Sequence, residues 1–154
     1  MMLDTMQVLF EGSKGKLSLT IEGYQFPHII DHESDSNWLD ILGHASLEER
    51  NWTFRDPCLM TFEVEYLANW LDEIVAGTAK HDFCGFTEPN LDFKRTADGL
   101  VRIGFSLEAT PPWAERGADF GEYGFDVPVG AGLTAAADNL RHLLQRFPVR
   151  GQRR

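Results

Sequence analysis

This sequence has little cysteine, no long apolar run and no recognisable targeting signal. Its only two cysteines, Cys58 and Cys84, form no CxxC pair, which argues against a disulfide scaffold and predicts two reduced core thiols. No stretch approaches the roughly 18 apolar residues that span a bilayer. Residues 1–10 have neither the basic region nor the apolar run of a secretory signal. The sequence therefore predicts a cytoplasmic protein without a membrane partner.

Basic residues are also few, since 14 lysines and arginines stand against 24 acids and leave a net charge of −10. Residues 1–140 carry all 24 acids and 9 bases, whereas residues 141–154 carry five arginines and no acid. Within residues 31–73, 11 acids face only Arg50 and Arg55. Such a chain repels nucleic acid and steers a basic partner toward itself. Many cytosolic proteins are acidic only to stay in solution, so this second explanation stays open.

Complete catalytic or cofactor motifs are missing as well. Residues 12–16, GSKGK, resemble a phosphate loop, but Phe10 stands where the first glycine is required and Leu17 replaces the final Ser or Thr. The tripeptide at 119–121, DFG, lacks the other parts of a kinase. Residues 81–84 include metal-ligand types, but no second cluster follows at ligand spacing. We therefore predict no enzyme activity, no metal and no cofactor.

A pair of carboxylates supports a rival hypothesis. Glu88 and Glu108 are the residue types of an acid–base pair in a hydrolase. A pocket near Glu88, Asn90 and Glu108 would make the chain a small-molecule-binding or enzymatic domain. Two carboxylates in an acidic chain can equally form ion pairs or cap loops. An apolar pocket with convergent polar groups would favour the rival hypothesis, and a flat acidic face with exposed aromatic residues would favour protein binding.

The apolar pattern predicts an α+β fold. Residues 16–22 and 100–108 alternate between apolar and polar side chains, as strands do, and the short connections favour antiparallel pairing. Helical spacing predicts helices over about 61–76 and 134–147, with Thr61 as the first N-cap, and Asp56-Pro57 is expected to end a strand. We expect a single domain over residues 1–148, with a largely antiparallel curved sheet of about six to eight strands packed against both helices. A basic tail, 149–154, follows it.

The first predicted helix has more aromatic residues than one buried face can use. Its core face consists of five residues at helical spacing, namely Met60, Val64, Leu67, Leu71 and Val75. Three aromatic residues four positions apart, Phe62, Tyr66 and Trp70, form a second stripe roughly opposite, beside Glu63 and Glu73. This stripe is either a second buried face or an exposed surface. If it is exposed, the aromatic residues would anchor a partner and the acids would select a basic one.

Three segments carry a family resemblance: SNWLDILG at 36–43, WTFRDPCLMTFEVEYLANWL at 52–71 and FTEPNLDF at 86–93. Together they resemble the WapI-family immunity proteins of bacterial polymorphic toxin systems. The resemblance covers roughly the middle two-thirds of the chain and transfers no catalytic residue. It implies a cytoplasmic protein that binds and neutralises a cognate toxin domain of nuclease type, and the charge pattern suits a basic toxin.

The acidic charge of residues 31–73, the aromatic stripe on the first predicted helix and the family resemblance together predict a toxin-binding surface within this segment. The predicted contact residues are Asp31, Glu33, Asp35, Phe62, Glu63, Tyr66, Trp70 and Glu73. Aromatic residues near the centre of such a surface would hold most of the affinity. The acids around them would mainly raise the association rate.

Overall fold

The strands form two four-stranded sheets, each followed by one helix, in a computed structural model that describes residues 7–97, 99–115 and 117–151. The first half contains β1 (Val8–Glu11), β2 (Gly15–Tyr24), β3 (Trp38–Leu47), β4 (Arg50–Met60) and α1 (Thr61–Ala76). The second contains β5 (Phe83–Cys84), β6 (Leu91–Ala97), β7 (Leu100–Phe105), a 3₁₀ helix (Leu107–Ala109), β8 (Tyr123–Pro128) and α2 (Ala131–Arg146). Every neighbouring strand pair is antiparallel, and strands pair in chain order.

The α+β class, the antiparallel pairing and the two helices are confirmed, and two details differ from expectation. The strands divide between two sheets instead of forming one curved sheet. Helix α2 begins three residues before the predicted position 134, directly after Gly130. Of the predicted basic tail, residues 149–151 are described, and residues 152–154 lie outside the described residues.

Strand β4 continues through Asp56-Pro57, where we expected a break. Its register against β3 shifts between the pairs Leu39↔Leu59 and Ile41↔Asp56, so β4 has one extra residue there. A bulge of this kind leaves residues without a ladder partner, and proline, which has no N–H to donate, is tolerated at such a place. The bulge therefore carries the strand past the proline and directly into α1.

The core between the sheets and helices is one continuous cluster. It contains Val101 and Ile103 of β7 together with Leu67 and Leu71 of α1, as the two periodicities predicted. Leu107 was expected to continue this face but is 46% exposed, because its backbone φ of 52° turns the chain out of β7 into the 3₁₀ helix. Both cysteines are buried, free thiols, as predicted.

Helix α1 packs on α2, which also packs on β1. The turn between β1 and β2 makes a further contact between the halves, at β8. A Cβ atom at Gly12 would lie 1.9 Å from the carbonyl oxygen of Asp126 in β8, so only glycine allows this approach. The side of α1 that faces away from α2 contacts the chain that follows the helix, through His81 and Thr87.

Candidate functional site

The outer face of α1 exposes two of the three aromatic residues in the predicted stripe. Phe62 is 41% exposed and Tyr66 is 47% exposed. They are four residues apart on one helix, so their side chains are neighbours on the same face. Apolar rings of this size exposed side by side are typical of a surface that binds a partner.

Trp70, the third member of the stripe and a predicted contact residue, is buried, so the stripe divides between the two alternatives that the sequence left open. It is 3% exposed, and its indole Nε1–H donates a hydrogen bond to the carbonyl of His81 at 2.9 Å. Helix α1 ends at Gly77, which has a left-handed φ of 76°. The chain then returns along the helix and covers Trp70. The stripe therefore ends at Tyr66.

Glu63, also predicted as a contact residue, is a buried structural group. Its side chain accepts hydrogen bonds from the backbone N–H of Met60 at 3.0 Å and of Thr87 at 2.8 Å. Met60, rather than Thr61, is the N-cap residue of α1. Because Glu63 joins the first turn of α1 to the loop around Thr87, its carboxylate is used within the protein.

Phe83 and Phe86 add aromatic rings that the sequence analysis did not assign to the surface. With Tyr66 and Pro89 they line a groove of about 470 Å³, which we call the aromatic groove. Phe83 is 52% exposed because it alternates with buried Cys84 in β5. That alternation was the only sequence signal for it. The fold of the following loop, which no local pattern predicts, brings Phe83 beside Tyr66.

Carboxylates accompany the aromatic groove. Asp92 lines it, and burial raises the pKa of its carboxyl above the ordinary value, against the opposing effects of Arg102 and Lys94. Glu88 is exposed between two groove residues, Thr87 and Pro89, and Glu65 is exposed on α1 next to Tyr66. A groove of aromatic faces beside carboxylates suits a cationic side chain, since each of these groups attracts positive charge.

The acidic loop, residues 25–37 between β2 and β3, carries the other predicted acids. Asp31 and Glu33 are exposed, and Asp35 is partly exposed. The Nδ1 atom of His32 accepts the backbone N–H of Asp35 at 2.9 Å, which fixes the turn between them. The loop ends at Asn37, which is hydrogen-bonded to Thr61 at the first turn of α1. The loop therefore ends beside the start of the helix that carries Phe62 and Tyr66.

Glu73, the last of the predicted contact residues, is exposed but distant from the rest. It lies ten residues beyond Glu63 on α1, which corresponds to about 15 Å along the helix axis. The predicted residues thus fall into an acidic loop, an exposed aromatic pair, two buried groups and one separate acid.

At the site of the rival pocket, the protein's own carboxylates contact the Nδ2 of Asn90, and its Oδ1 has no hydrogen-bond partner among the described residues. Asn90 is buried, and its Nδ2 donates to Glu108 at 3.1 Å and to Asp56 at 3.4 Å. Burial, followed by the nearby Glu108 and Glu88, raises the pKa of Asp56. The aromatic groove is not lined by Glu88, Asn90 or Glu108. Within the described ranges, no group of three or more His, Cys, Asp or Glu side chains could hold a metal ion.

A larger groove, of about 850 Å³, lies between the turns of the first sheet and the face of β8. Its charged lining is balanced, with Lys14, Arg50 and Arg102 against Glu48, Glu122 and Asp126. Arg50 lies over the ring of Trp113 at 4.0 Å. The residues that line it include no histidine and no cysteine.

Neither helix in the described part of the chain combines the length and apolar character that crossing a membrane requires. Comparison with known proteins gives one family. The family model described as "Immunity protein WapI-like family" matches residues 8–148. No curated protein and no solved structure matches the chain significantly.

Proposed function

Because the chain belongs to the WapI-like immunity protein family, which implies neutralisation of a toxin, we propose that it acts in the cytoplasm by binding a basic toxin domain of nuclease type. Immunity proteins of this kind are generally not enzymes, and we propose that this one inhibits by occupying the toxin's surface. The match spans nearly all of the described chain, and it includes both halves of the fold.

The aromatic groove is the observation that supports a protein-binding surface most directly. Tyr66 and Phe83 line the groove and are 47% and 52% exposed, and Phe62, four residues before Tyr66 on α1, is 41% exposed outside the groove. Exposed aromatic residues in such a group are the residue types that supply most binding energy at interfaces. We propose that basic side chains of the toxin insert here, against the rings and beside Asp92.

The overall charge supports the same partner. With 24 acids and 14 bases, the protein attracts a basic domain over several ångströms of solution. Nuclease toxins need basic surfaces to hold nucleic acid, so an acidic inhibitor and such a toxin are electrostatically complementary.

The test is the binding of a candidate toxin domain, sought in the reading frame directly upstream, with Tyr66→Ala compared against Val75→Ala. Val75 is 37% exposed on the same helix but lies outside the aromatic groove, so it controls for the loss of exposed apolar surface. We expect Tyr66→Ala to speed dissociation roughly 30-fold, corresponding to a hot spot of about 2 kcal/mol. Val75→Ala should dissociate like the wild type.

Surface plasmon resonance measures both rates, and cleavage of nucleic acid by the toxin measures neutralisation. Equal dissociation of the two variants would place the interface elsewhere. A wild-type protein that neither binds nor inhibits the upstream domain would refute the proposed function itself.

A further inference from the structure

The chain after α2 crosses the molecule and lies against the acidic loop. Phe147 packs edge-on against Tyr24 at the end of β2, with ring centroids 5.7 Å apart. The Tyr24 hydroxyl donates to the carbonyl of Pro148 at 2.6 Å. These contacts bring Arg150 and Gly151 to the loop, although they are more than 100 residues from it in the sequence.

Asn37 joins this segment to the loop and to α1 through one buried amide. Its Nδ2 donates to the carbonyl of Arg150 at 2.7 Å, and its Oδ1 accepts the backbone N–H of Arg150 at 2.8 Å. The same Oδ1 accepts the hydroxyl of Thr61 at 2.6 Å. Asn37 is 1% exposed, so these bonds are shielded from water.

The guanidinium of Arg150 bridges the two ends of the acidic loop. Its Nε donates to the carbonyl of Ser36 at 2.9 Å, near the end of the loop. Its two Nη atoms donate to the carbonyls of Pro27 and Phe26, both at 3.1 Å, at the start. The same group lies 3.5 Å from the centre of the Tyr24 ring. All three acceptors are main-chain carbonyls, so the side chain acts on the shape of the loop.

Gly151 lies against the middle of the acidic loop, at Asp31 and His32. Its φ is +59°, a conformation that favours glycine, and a Cβ atom there would lie 2.6 Å from the carbonyl oxygen of His32. Any other residue would have to move either the loop or the segment.

We propose that Asn37, Arg150 and Gly151 form a clasp that holds the acidic loop in one conformation and thereby positions Asp31, Glu33 and Asp35 for the toxin. The loop has 13 residues and no helix or strand of its own, so it needs tertiary contacts to stay ordered. A loop ordered before binding does not lose that freedom on association, which strengthens binding. The positioning role rests on the proposed function, whereas the clasp itself does not.

The first experiment compares Arg150→Lys with Arg146→Lys by amide hydrogen exchange on the free protein. Both changes keep the charge, and Arg146 is exposed on α2, where its side chain makes no hydrogen bond or ion pair with the described residues. In Arg150→Lys we expect the amides of His32 and Asn37 to exchange about tenfold faster, because hydrogen bonds from a charged group are lost. Arg146→Lys should exchange like the wild type, and core amides such as that of Leu67 should be unchanged in both.

Gly151→Ala tests the clasp by a second route, since it keeps Arg150 and adds only one methyl group. It should speed exchange in the same loop while far-ultraviolet circular dichroism stays unchanged. Unchanged loop exchange in both Arg150→Lys and Gly151→Ala would overturn the clasp.

The second experiment measures the affinity of the same variants for the upstream toxin domain. We expect Arg150→Lys to bind about tenfold more weakly and Arg146→Lys to bind like the wild type, at equal net charge. Faster loop exchange with unchanged affinity would overturn the positioning role. If the wild type binds no toxin domain, the proposed function fails, and the exchange data alone decide whether the clasp exists.

Discussion

Glu63 and Glu65 lie two residues apart on α1 and have opposite roles. Glu63 is buried and accepts two backbone N–H groups, whereas Glu65 is exposed. An acid near the first turn suits a helix N-terminus, and the sequence offers both Glu63 and Glu65 there. It could not indicate which acid is buried, because the second donor, Thr87, belongs to a loop 24 residues away. The same limit applies to Trp70, which the returning chain at His81 covers.

Glu63→Ala should therefore destabilise the protein, and Glu65→Ala should not. Removing the Glu63 carboxylate leaves the backbone N–H groups of Met60 and Thr87 without their partner, which costs about 1–3 kcal/mol. Urea unfolding followed by tryptophan fluorescence gives both free energies. If the free energy of unfolding fell by the same small amount in both variants, the role of Glu63 described above would be contradicted.

The raised pKa of Asp56 predicts in which direction the stability of the folded protein changes with pH. Burial, Glu108 and Glu88 raise its pKa above the ordinary value of 3.8, so the folded state holds this proton more tightly than the unfolded state. Stability is then lost as the pH rises from 3.8 through the folded pKa, and the loss persists at neutral pH. Asp56→Asn should be more stable than the wild type at pH 7, by less than about 1 kcal/mol because the group is partly solvated.

This gain should shrink as the pH falls and vanish below the ordinary pKa, where Asp56 is protonated in both states. Thermal unfolding at several pH values gives the difference directly. A gain that stays constant with pH would mean that packing, and not ionisation, causes it.

At the scale of elements, α1 was predicted more accurately than the strand ends. A helical period is local, so α1 could be placed at its observed bounds from side-chain spacing. The bulge at Pro57 and the turn at Leu107 depend on neighbouring strands, which spacing does not reveal. The division into two sheets is likewise a matter of contacts between distant segments. For the same reason, spacing could place Phe62 and Tyr66 on one face of α1, whereas it could not place Phe83 beside Tyr66 or Arg150 at the acidic loop.

The turn between β3 and β4 offers a stabilising substitution. Glu48 and Glu49 have φ angles of 48° and 73°, a left-handed conformation that favours Asn-Gly in a two-residue hairpin turn. Glu49→Gly should stabilise the protein by about 1 kcal/mol, because the left-handed conformation is unfavourable for residues with a Cβ atom. Glu65→Gly, in the middle of α1, should instead cost about 1 kcal/mol. Differential scanning calorimetry should show a higher melting temperature for Glu49→Gly and a lower one for Glu65→Gly.

For the whole molecule, charge predicts how binding responds to salt. The Debye length falls from about 30 Å at 0.01 M salt to about 8 Å at 0.15 M. The association rate with a basic toxin domain should fall over this range, while the dissociation rate should change little. Reversing two exposed acids near the aromatic groove, Glu65→Lys with Glu88→Lys, should slow association most at low salt. Stopped-flow kinetics would test this, and an association rate independent of salt would contradict the electrostatic part of the proposal.

The order of elements, four strands in a meander followed by a helix, occurs twice along the chain without an internal sequence repeat. Each half completes its own strand pairing, and the halves meet mainly through α1, α2 and the shared core. A chain opened in the exposed link near Lys80 would yield two fragments, each with a complete meander and one uncovered apolar face. Such fragments should recombine without a covalent bond, because each supplies the surface that the other must bury. The fold is therefore suited to a split reporter, in which reassembly signals that two fused proteins have met.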